Sequence, residues 1–454
     1  MYDELPVRIL ANAERFPART AYVFEDRSIS YGQLAEYSRS LGYYLSKDRS
    51  PVVIYGHKSP EFIICILACL ISGRCYIPCD TSIPVSRVKK LANPSGADML
   101  IFTEEGDCPG ILSCELSRKE LRECFSHEGI SPVTSGDENA YIIFTSGSTG
   151  DPKGIPVRRE SLMNFCGYAD SFLSGAVHTG HALFSFDLSV ADIFPTLLSG
   201  GTLIETDGIP LSDTDSFVCT PTFLRLCLLS DRFTEINLPS LKTVLCCGEV
   251  LPADTAEKLF ERFGDIRLIN AYGPAECCCF VSAYEVKKGD NAPLPVGNGK
   301  NACNIGIRNG EIFISGASVS RGYISPCGND SFRDGGYYTG DMGEIRDGML
   351  YFLGRKGGFV KRSGYRIELS ETESEIRQIN GVSDCICIAV PDGMGQARSI
   401  KAFVILSEDI SPVQIKQQLA LRLPAYMLPN AIKTVPYFPL TPNGKIDYKA
   451  LDDK

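Results

Sequence analysis

A dense run of hydroxyls and glycines follows an apolar stretch in the string YIIFTSGSTGDPKGIPV, which spans residues 141–157. Glycines let the backbone turn tightly and bring N–H groups close to a ligand, and hydroxyls add hydrogen bonds. A lysine beside them adds a point charge. The pattern therefore predicts a phosphate-binding loop after a buried strand, although an ordinary surface loop is the alternative for such clusters. The loop residues are Thr145, Ser146, Gly147, Ser148, Thr149, Gly150 and Lys153.

The spacing argues against a Walker A loop, which needs Gly-Lys-Ser/Thr at the start of a helix. Here Lys153 follows Pro152 and precedes Gly154. The string instead resembles the phosphate loop of the adenylate-forming superfamily, which includes acyl-CoA synthetases, luciferases and nonribosomal peptide adenylation domains. The resemblance implies that the loop holds the β,γ-phosphates of ATP while the α-phosphate is attacked.

Asp187 follows the apolar run Ala182–Phe186, which we predict to be a strand, and precedes a pattern with helical spacing. From the pattern alone it is either the N-cap of that helix or a carboxylate at the end of a strand, where α/β folds bind ligands. The resemblance favours the second interpretation. In members that activate amino acids, an Asp in this motif pairs with the substrate α-amino group.

Two further strands, within 241–250 and 268–276, are predicted to deliver polar or small residues to the same edge. The resemblance implies that Glu276 holds Mg²⁺, a hard cation that suits one carboxylate plus phosphates. The usual Thr of the motif is Ala275 here, so a hydroxyl near the α-phosphate is missing and we expect a lower rate. The residues implied to frame the adenine are Asn270, Ala271, Tyr272, Gly273, Pro274 and Ala275.

The amino-acid pocket is predicted to include Cys247, Gly248 and Cys279 beside Asp187. Our hypothesis is that Cys247 fills the volume into which the methyl group of L-alanine would point. A clash of one methyl group discriminates by about 1–3 kcal/mol, which is roughly ten- to two-hundred-fold.

Residues 282–353 change to short strands and glycine-rich turns, as in a small β-barrel. The resemblance implies that Asp341 in YTGD binds both ribose hydroxyls and that Arg355 makes a second ribose contact. Phe352 is a further predicted ATP contact.

The last hundred residues are predicted to form a small α+β domain, and the resemblance implies that it rotates between adenylating and thioester-forming positions. Gly357 and Gly358 lie where the family has a hinge Asp, which should ease rotation. Composition alone leaves Lys445 in TPNGKID as a solvated charge. The resemblance implies instead that Lys445 reaches the site and bridges the substrate carboxylate and the α-phosphate.

Positioning these groups requires more than one core, because the chain has 454 residues. Residues 1–140 alternate helices and short strands, which is typical of a parallel α/β sheet. The predicted fold class is α/β. A large N-terminal domain of α/β sheets and a small β-barrel spans 1–355, and a small mobile α+β domain carrying Lys445 spans 356–454.

The net charge of −10 argues against nucleic acid and anionic membranes as partners. The longest apolar stretch, Phe62–Ser72, is shorter than the about 20 residues of a membrane span, so we expect no membrane insertion. The N-terminus lacks the apolar core of a signal peptide, which predicts a cytoplasmic location. Nineteen scattered cysteines fit that compartment if they stay reduced, and the run 277–279 lacks the spacing of zinc ligands.

Further strings are similar to a narrower family of ligases, namely FSFDLS (184–189), CGEVLP (247–252), GASVSRGY (316–323) and LPAYMLP (423–429). Members of that family activate D-alanine with Mg·ATP and pass it to the phosphopantetheine thiol of an acidic carrier protein, for D-alanylation of teichoic acid. The alternatives are an adenylation domain for another small amino acid and a non-catalytic adenylate-binding module. The basic residues that either dock the carrier or are ordinary solvated charges are Lys356, Lys361, Arg362 and Arg366.

Overall fold

The computed structural model describes residues 4–106, 108–133, 136, 138–145, 152–173, 175–299, 303–324, 328–355, 359–362, 364–391, 397–439 and 451. The helices of this part of the chain are α1 (Glu4–Arg15), α2 (Tyr31–Leu45), α3 (Pro60–Ser72), α4 (Val85–Ser95), α5 (Arg118–Cys124), α6 (Arg159–Ala169), α7 (Ser189–Ser199), α8 (Pro221–Leu228), α9 (Ala253–Arg262), α10 (Leu369–Arg377) and α11 (Pro412–Ala420). Single 3₁₀ turns lie at Ala275–Cys277 and Ala425–Met427.

The strands of the first two sheets are β1 (Thr20–Phe24), β2 (Arg27–Ser30), β3 (Val52–Tyr55), β4 (Tyr76–Cys79), β5 (Met99–Phe102), β6 (Cys114–Leu116), β7 (Asn139–Thr145), β8 (Lys153–Arg158), β9 (Val177–Gly180), β10 (Thr202–Glu205), β11 (Ser216–Cys219), β12 (Thr243–Cys246), β13 (Arg267–Tyr272) and β14 (Ser282–Val286). The later strands are β15 (Cys303–Arg308), β16 (Glu311–Gly316), β17 (Phe332–Arg333), β18 (Gly336–Arg346), β19 (Met349–Arg355), β20 (Phe359–Arg362), β21 (Tyr365–Glu368), β22 (Val382–Pro391), β23 (Ala397–Leu406) and β24 (Ala431–Thr434).

Two mainly parallel sheets carry the first part of the chain. One has the strand order β6-β5-β3-β4-β7-β8, and the other has the order β14-β13-β12-β11-β9-β10-β1-β2. Antiparallel pairing is confined to edge strands, where β8 pairs with β7, β14 with β13 and β2 with β1. The alternating helix and strand pattern of residues 1–140 therefore does form a parallel α/β sheet.

Helix α3 explains the long apolar stretch in this region, because every one of its residues is buried. It contacts β1 and β2 of the eight-stranded sheet and β3 and β4 of the six-stranded sheet. The Ser59 hydroxyl caps its first turn, and Gly73 ends it with φ of 75°, a left-handed conformation that glycine adopts freely. The helix therefore belongs to a core shared by two sheets. In the described part of the chain, no helix has both the length and the apolar character needed to cross a membrane.

The third sheet is small and antiparallel, as the short strands and glycine-rich turns predict. Its order is β15-β16-β18-β17, and β19 pairs with the far half of the long β18. Among the described strands no ladder joins β15 to β19. The segment before β15 bonds β19 instead, because the Val296 N–H donates to the Leu350 carbonyl at 2.9 Å and the Leu350 N–H donates to the Gly297 carbonyl at 2.7 Å.

The last part of the chain forms a hairpin (β20 and β21) and a three-stranded sheet (β22-β23-β24) with α10 and α11. Its buried core is its own and includes Ile367, Ile376, Ile400 and Ile415. The fold class, a large α/β part followed by a smaller α+β part, is confirmed. The division between residues 355 and 356 stays a prediction.

The predicted strand at Ala182–Phe186 is wrong. The strand is β9, which ends at Gly180, and residues 182–186 form turns. The backbone N–H of Phe186 donates to the Leu183 carbonyl at 2.9 Å, which closes a turn. The buried Phe184 ring packs against Tyr22 and Phe62, so tertiary packing and not alternation along a strand accounts for its burial.

Every cysteine in the described part of the chain is a free thiol, and most are buried. Burial of a thiol disfavours its ionised form, and it raises the pKa of Cys69 in α3 to about 12. These cysteines serve as small apolar side chains in the cores.

Candidate functional site

A cavity of about 80 Å³ lies where the two mainly parallel sheets, the small third sheet and the last part of the chain meet. It is lined by strand ends and by loops that follow strands, which is where α/β folds bind ligands. The lining residues are Ile83, Ile143, Phe144, Thr145, Ser185, Phe186, Asp187, Gly248, Gly273, Pro274, Ala275, Glu276, Asp341, Gly364, Tyr365 and Tyr426. The cavity therefore brings together several of the predicted site residues.

Thr145 and Lys153 are cross-strand partners at the loop end of the β7–β8 hairpin. The predicted phosphate-loop residues Ser146, Gly147, Ser148, Thr149 and Gly150 lie between them and outside the described residues. Lys153 is nearly buried, and its ammonium nitrogen lies 3.9 Å from Glu368 Oε1 at the end of β21. The same nitrogen lies 5.5 Å from the centre of the Tyr323 ring.

Asp187 lines the cavity. The assigned N-cap of helix α7 is the next residue, Leu188, whose side chain makes no cap hydrogen bond. Both interpretations of Asp187, as a residue of the helix start and as a ligand-binding carboxylate, stay predictions. A carboxylate at a cavity wall is suited to bind a cationic group such as an ammonium.

The Cys247 and Cys279 thiols contact each other behind this wall. Burial and the Cys247 thiol raise the pKa of the Cys279 thiol, with a further contribution from the charge of Asp187. Both cysteines are buried, and Gly248, with φ of 92°, is the residue that reaches the cavity. The predicted amino-acid pocket is therefore brought together, with the two thiols directly behind the lining.

The segment 273–276 reaches the cavity after β13. A Cβ at Gly273 would lie 2.4 Å from Phe280 Cα, so only glycine fits there. The Glu276 carboxylate is almost fully buried and accepts a hydrogen bond from the Tyr323 hydroxyl at 2.7 Å. No three His, Cys, Asp or Glu side chains among the described residues gather as metal ligands. Glu276 therefore fits a cation that takes most ligands from phosphate oxygens and water, as Mg²⁺ does.

Other residues predicted to frame the adenine lie in the core beside the cavity. The Asn270 side-chain amide donates to the Pro295 carbonyl at 2.9 Å, and Ala271 is buried. The Tyr272 hydroxyl donates to Asp341 Oδ2 at 2.7 Å, and its ring lies 6.2 Å from that of Phe352.

The two predicted ribose contacts, Asp341 and Arg355, are cross-strand partners in the β18–β19 ladder. Asp341 lines the cavity and is 2% exposed. The strand pairing thus places Asp341 and Arg355 side by side in the small sheet. Their separation in the sequence does not show that they are neighbours.

The wall formed by the last part of the chain was missed at the sequence level. The Tyr365 ring stacks on Tyr426 with centroids 4.0 Å apart and packs 5.1 Å from Phe186. A Cβ at Gly364 would lie 2.9 Å from Thr220 Cγ2. Tyr426 belongs to LPAYMLP, one of the strings that are similar to the narrower ligase family, and its aromatic side chain was the available signal.

Several predicted residues are not tested. Lys445, Gly357, Gly358 and Lys356 lie outside the described residues, as do the side chains of Lys361 and Arg366. The Arg362 guanidinium donates to the carbonyls of Tyr426 and Leu428, so it is a structural donor and not an idle surface charge.

The family model of the AMP-binding enzyme matches residues 9–324, and that of the AMP-binding enzyme C-terminal domain matches residues 371–445. The chain belongs to the AMP-binding enzyme family. The match of this AMP-binding enzyme includes the phosphate loop, Asp187 and Glu276 in its first part and Lys445 at the end of its second.

Relatives of this AMP-binding enzyme include the D-alanine–D-alanyl carrier protein ligases of Bacillus cereus (strain AH187) and Bacillus anthracis (strain CDC 684 / NRRL 3495). Each is 37% identical, and the match covers 96% of both chains. Among solved structures, PA1221, a nonribosomal peptide synthetase protein with adenylation and carrier domains, is 25% identical with a TM-score of 0.83 over 98% of this chain and 83% of that chain. The o-succinylbenzoate CoA synthetase of Bacillus subtilis shares the fold at 19% identity, with a TM-score of 0.85 over 98% of both chains.

Proposed function

We propose that this AMP-binding enzyme is an AMP-forming ligase that activates D-alanine and transfers it to the phosphopantetheine thiol of a carrier protein. The observation that carries the proposal is Asp187, a carboxylate in the cavity lining, in a chain that is similar over its length to D-alanine–D-alanyl carrier protein ligases. A carboxylate beside an apolar acid would have no ammonium to bind, which argues against a fatty-acid substrate.

In the first step a carboxylate oxygen of D-alanine attacks the α-phosphorus of ATP. The bond from that phosphorus to the bridging oxygen breaks, and pyrophosphate leaves with the electron pair. Lys153 and the loop after Thr145 bind the β,γ-phosphates, while Asp187 holds the ammonium. Lys445 stabilises the negative charge that grows on the α-phosphate.

Glu276 would hold Mg²⁺, which supplies charge neutralisation on the phosphates. Asp341 and Arg355 bind the ribose, and Gly273, Pro274 and Ala275 form one wall of the nucleotide site. The positions of the lining residues support these roles, because they come from β7, from the segment after β13 and from β18.

In the second step the carrier thiol loses its proton to solvent, and its sulfur attacks the carbonyl carbon of D-alanyl-adenylate. The bond from that carbon to the phosphate oxygen breaks, AMP leaves, and a thioester forms. We propose that the enzyme acts in the cytoplasm and that the carrier protein is acidic. The D-alanyl thioester on the carrier then serves the D-alanylation of teichoic acid.

The test is ATP–pyrophosphate exchange with D-alanine, L-alanine, glycine, larger amino acids and short fatty acids. We expect D-alanine to give the highest kcat/KM. A preference for another small amino acid would indicate a different adenylation enzyme, a preference for a fatty acid would exclude the role of Asp187, and no exchange with any acid would indicate a binding module.

A further inference from the structure

Helix α4, in the large part of the chain, faces α10 in the small part. Arg87 forms an ion pair with Glu371, and Lys90 forms one with Glu375. We call these two ion pairs the α4–α10 clasp. They join residues far apart in sequence, so they form only when the two parts of the molecule are in this arrangement.

The Arg87–Glu371 pair is withdrawn from water. The Arg87 side chain is 6% exposed and that of Glu371 is 0% exposed. Removing one partner of a buried ion pair leaves a desolvated charge without its counter-charge. Because α4 and α10 belong to different parts of the molecule, the remaining charge can regain water if the two parts move apart. Loss of either partner therefore disfavours this arrangement.

The clasp fixes the β20–β21 hairpin, because β21 continues directly into α10 at Leu369. Glu371 lies in the first turn of α10, and Tyr365 begins the strand that precedes it. The Tyr365 ring packs against Phe186 at the cavity wall. A shift of α10 away from α4 would thus withdraw the hairpin from the cavity.

The hairpin also brings Glu368 to Lys153, with 3.9 Å between the ammonium nitrogen and Glu368 Oε1. A carboxylate at that lysine repels the β,γ-phosphates of ATP, and it can take their place once pyrophosphate has left. The arrangement with the hairpin in the cavity therefore suits the reaction after adenylation.

We propose that Arg87 and Glu371 are positioning residues for the thioester-forming step, because they hold the β20–β21 hairpin at the cavity while the thiol attacks. The proposal rests on the two-step function proposed above. Neither residue is among those that line the cavity, so each acts through the hairpin and not on the reacting atoms.

The test uses Arg87→Met, Glu371→Gln and the double variant, which remove the charges and keep similar side-chain length. Two rates are measured: pyrophosphate exchange with D-alanine, and single-turnover decay of the bound adenylate with free pantetheine. We expect each single variant to lower the transfer rate about tenfold or more and the exchange rate by less than about twofold. The double variant, which has no orphaned charge, should be no slower than the worse single variant.

The matched control is the exposed pair Lys258–Asp254 on α9, changed to Met and Asn, which should alter neither rate. Lys90→Met removes the half-exposed pair and serves as a milder variant if Arg87→Met folds poorly. Loss of both rates by the same factor, or loss of neither, would overturn the proposal.

Hydrogen exchange of the β20 and β21 amides, without substrates, provides a second readout. We expect faster exchange there in Arg87→Met, with α3 amides unchanged. Unchanged hairpin exchange would also overturn the proposal. If the parent gives no pyrophosphate exchange with D-alanine, the proposed function fails, and the hairpin amides still decide whether the clasp holds the hairpin.

Discussion

At the cavity wall, Asp187 is the carboxylate that we propose binds the substrate ammonium group. Replacing it by Ala should lower kcat/KM for D-alanine in pyrophosphate exchange by about 10- to 150-fold, since a hydrogen bond to a charged group contributes about 1.5–3 kcal/mol. Propionate is the matched substrate, because it lacks only the amine, and its weak exchange should stay unchanged. Equal losses with alanine and propionate would contradict the assigned role.

Cys247 lies behind Gly248, in contact with the Cys279 thiol. If Cys247 restricts the volume open to the methyl group of L-alanine, Cys247→Ala should lower the D/L ratio of kcat/KM by about ten- to two-hundred-fold. Cys219→Ala, at a buried thiol on the neighbouring β11, is the control. An unchanged D/L ratio in Cys247→Ala would remove the hypothesis.

A second group of charges is buried away from the cavity, around Lys58. The Lys58 ammonium lies 3.2 Å from Glu205 Oε2 and 3.0 Å from Asp207 Oδ1. Both Asp192 carboxylate oxygens are buried and lack a hydrogen-bond partner among the described residues. A Cβ at Gly180 would lie 2.7 Å from an oxygen of Asp192 and of Glu205, so the two carboxyl groups face each other. Burial raises the pKa of Glu205 to about 7 and that of Asp192 well above its usual value.

These raised pKa values predict a loss of stability with rising pH. The folded state retains protons on these carboxyls that the unfolded state loses near pH 4, so the free energy of unfolding falls from about pH 4.5 to at least pH 7. Asp192→Asn should flatten this fall and raise the thermal midpoint at pH 8 relative to the parent, with little change at pH 5. Exposed Asp254→Asn is the control, and an unaltered pH dependence in Asp192→Asn would refute the assignment.

At the scale of elements, the β20–β21 turn reaches the cavity through Gly364, where φ is 83° and a Cβ would lie 2.9 Å from Thr220 Cγ2. Gly364→Ala should push the hairpin outwards and slow thioester transfer more than adenylation. Gly348→Ala is the matched control, since φ is 77° there but a Cβ would meet nothing within 4 Å. If both variants lose transfer equally, backbone strain and not the close contact is the cause.

Elements with one clear pattern were predictable from the sequence. Helices α2 and α3 lie within residues 1–140, where alternating helices and strands were predicted, because helical spacing, caps and uninterrupted apolar residues agree there. The turns at residues 182–186 were not predicted. Turn residues that pack against Phe62 and Tyr22 must be apolar, so their sequence looks like that of a strand. Long-range packing, which no local pattern contains, decides such cases.

The residues of the candidate site also fall into two groups, those with a local sequence signal and those placed by long-range packing. Glu276 was predicted because a strand followed by a carboxylate is visible locally, and it does follow β13. Asp187 also reaches the cavity, although residues 182–186 before it form turns and not the predicted strand. Tyr365 and Tyr426 were not predicted, because their place at the cavity depends on how α10 docks against α4. The Asn270 amide donates to the Pro295 carbonyl, and its predicted place at the adenine stays a prediction.

For the whole molecule, the proposed function requires Lys445 to reach the ATP phosphates during adenylation. Lys445→Ala should therefore abolish most pyrophosphate exchange while transfer from a supplied D-alanyl-adenylate to pantetheine continues. Lys433→Ala, at a lysine on β24 in the same part of the chain, should leave both steps intact. Adenylate formation by Lys445→Ala at the parent's rate would exclude the proposed geometry.

The buried thiols give each part of the chain its own internal reporter. Cys65 and Cys69 lie in the helix shared by the first two sheets, Cys219 and Cys246 lie on neighbouring strands of the larger one, and Cys385 and Cys387 lie on β22. A thiol can react only after its surroundings open, and local opening differs in free energy between cooperative units. The order in which these cysteines are alkylated, followed by the mass of their peptides, will therefore rank the three units by their free energy of local opening. The experiment leaves the native sequence unchanged.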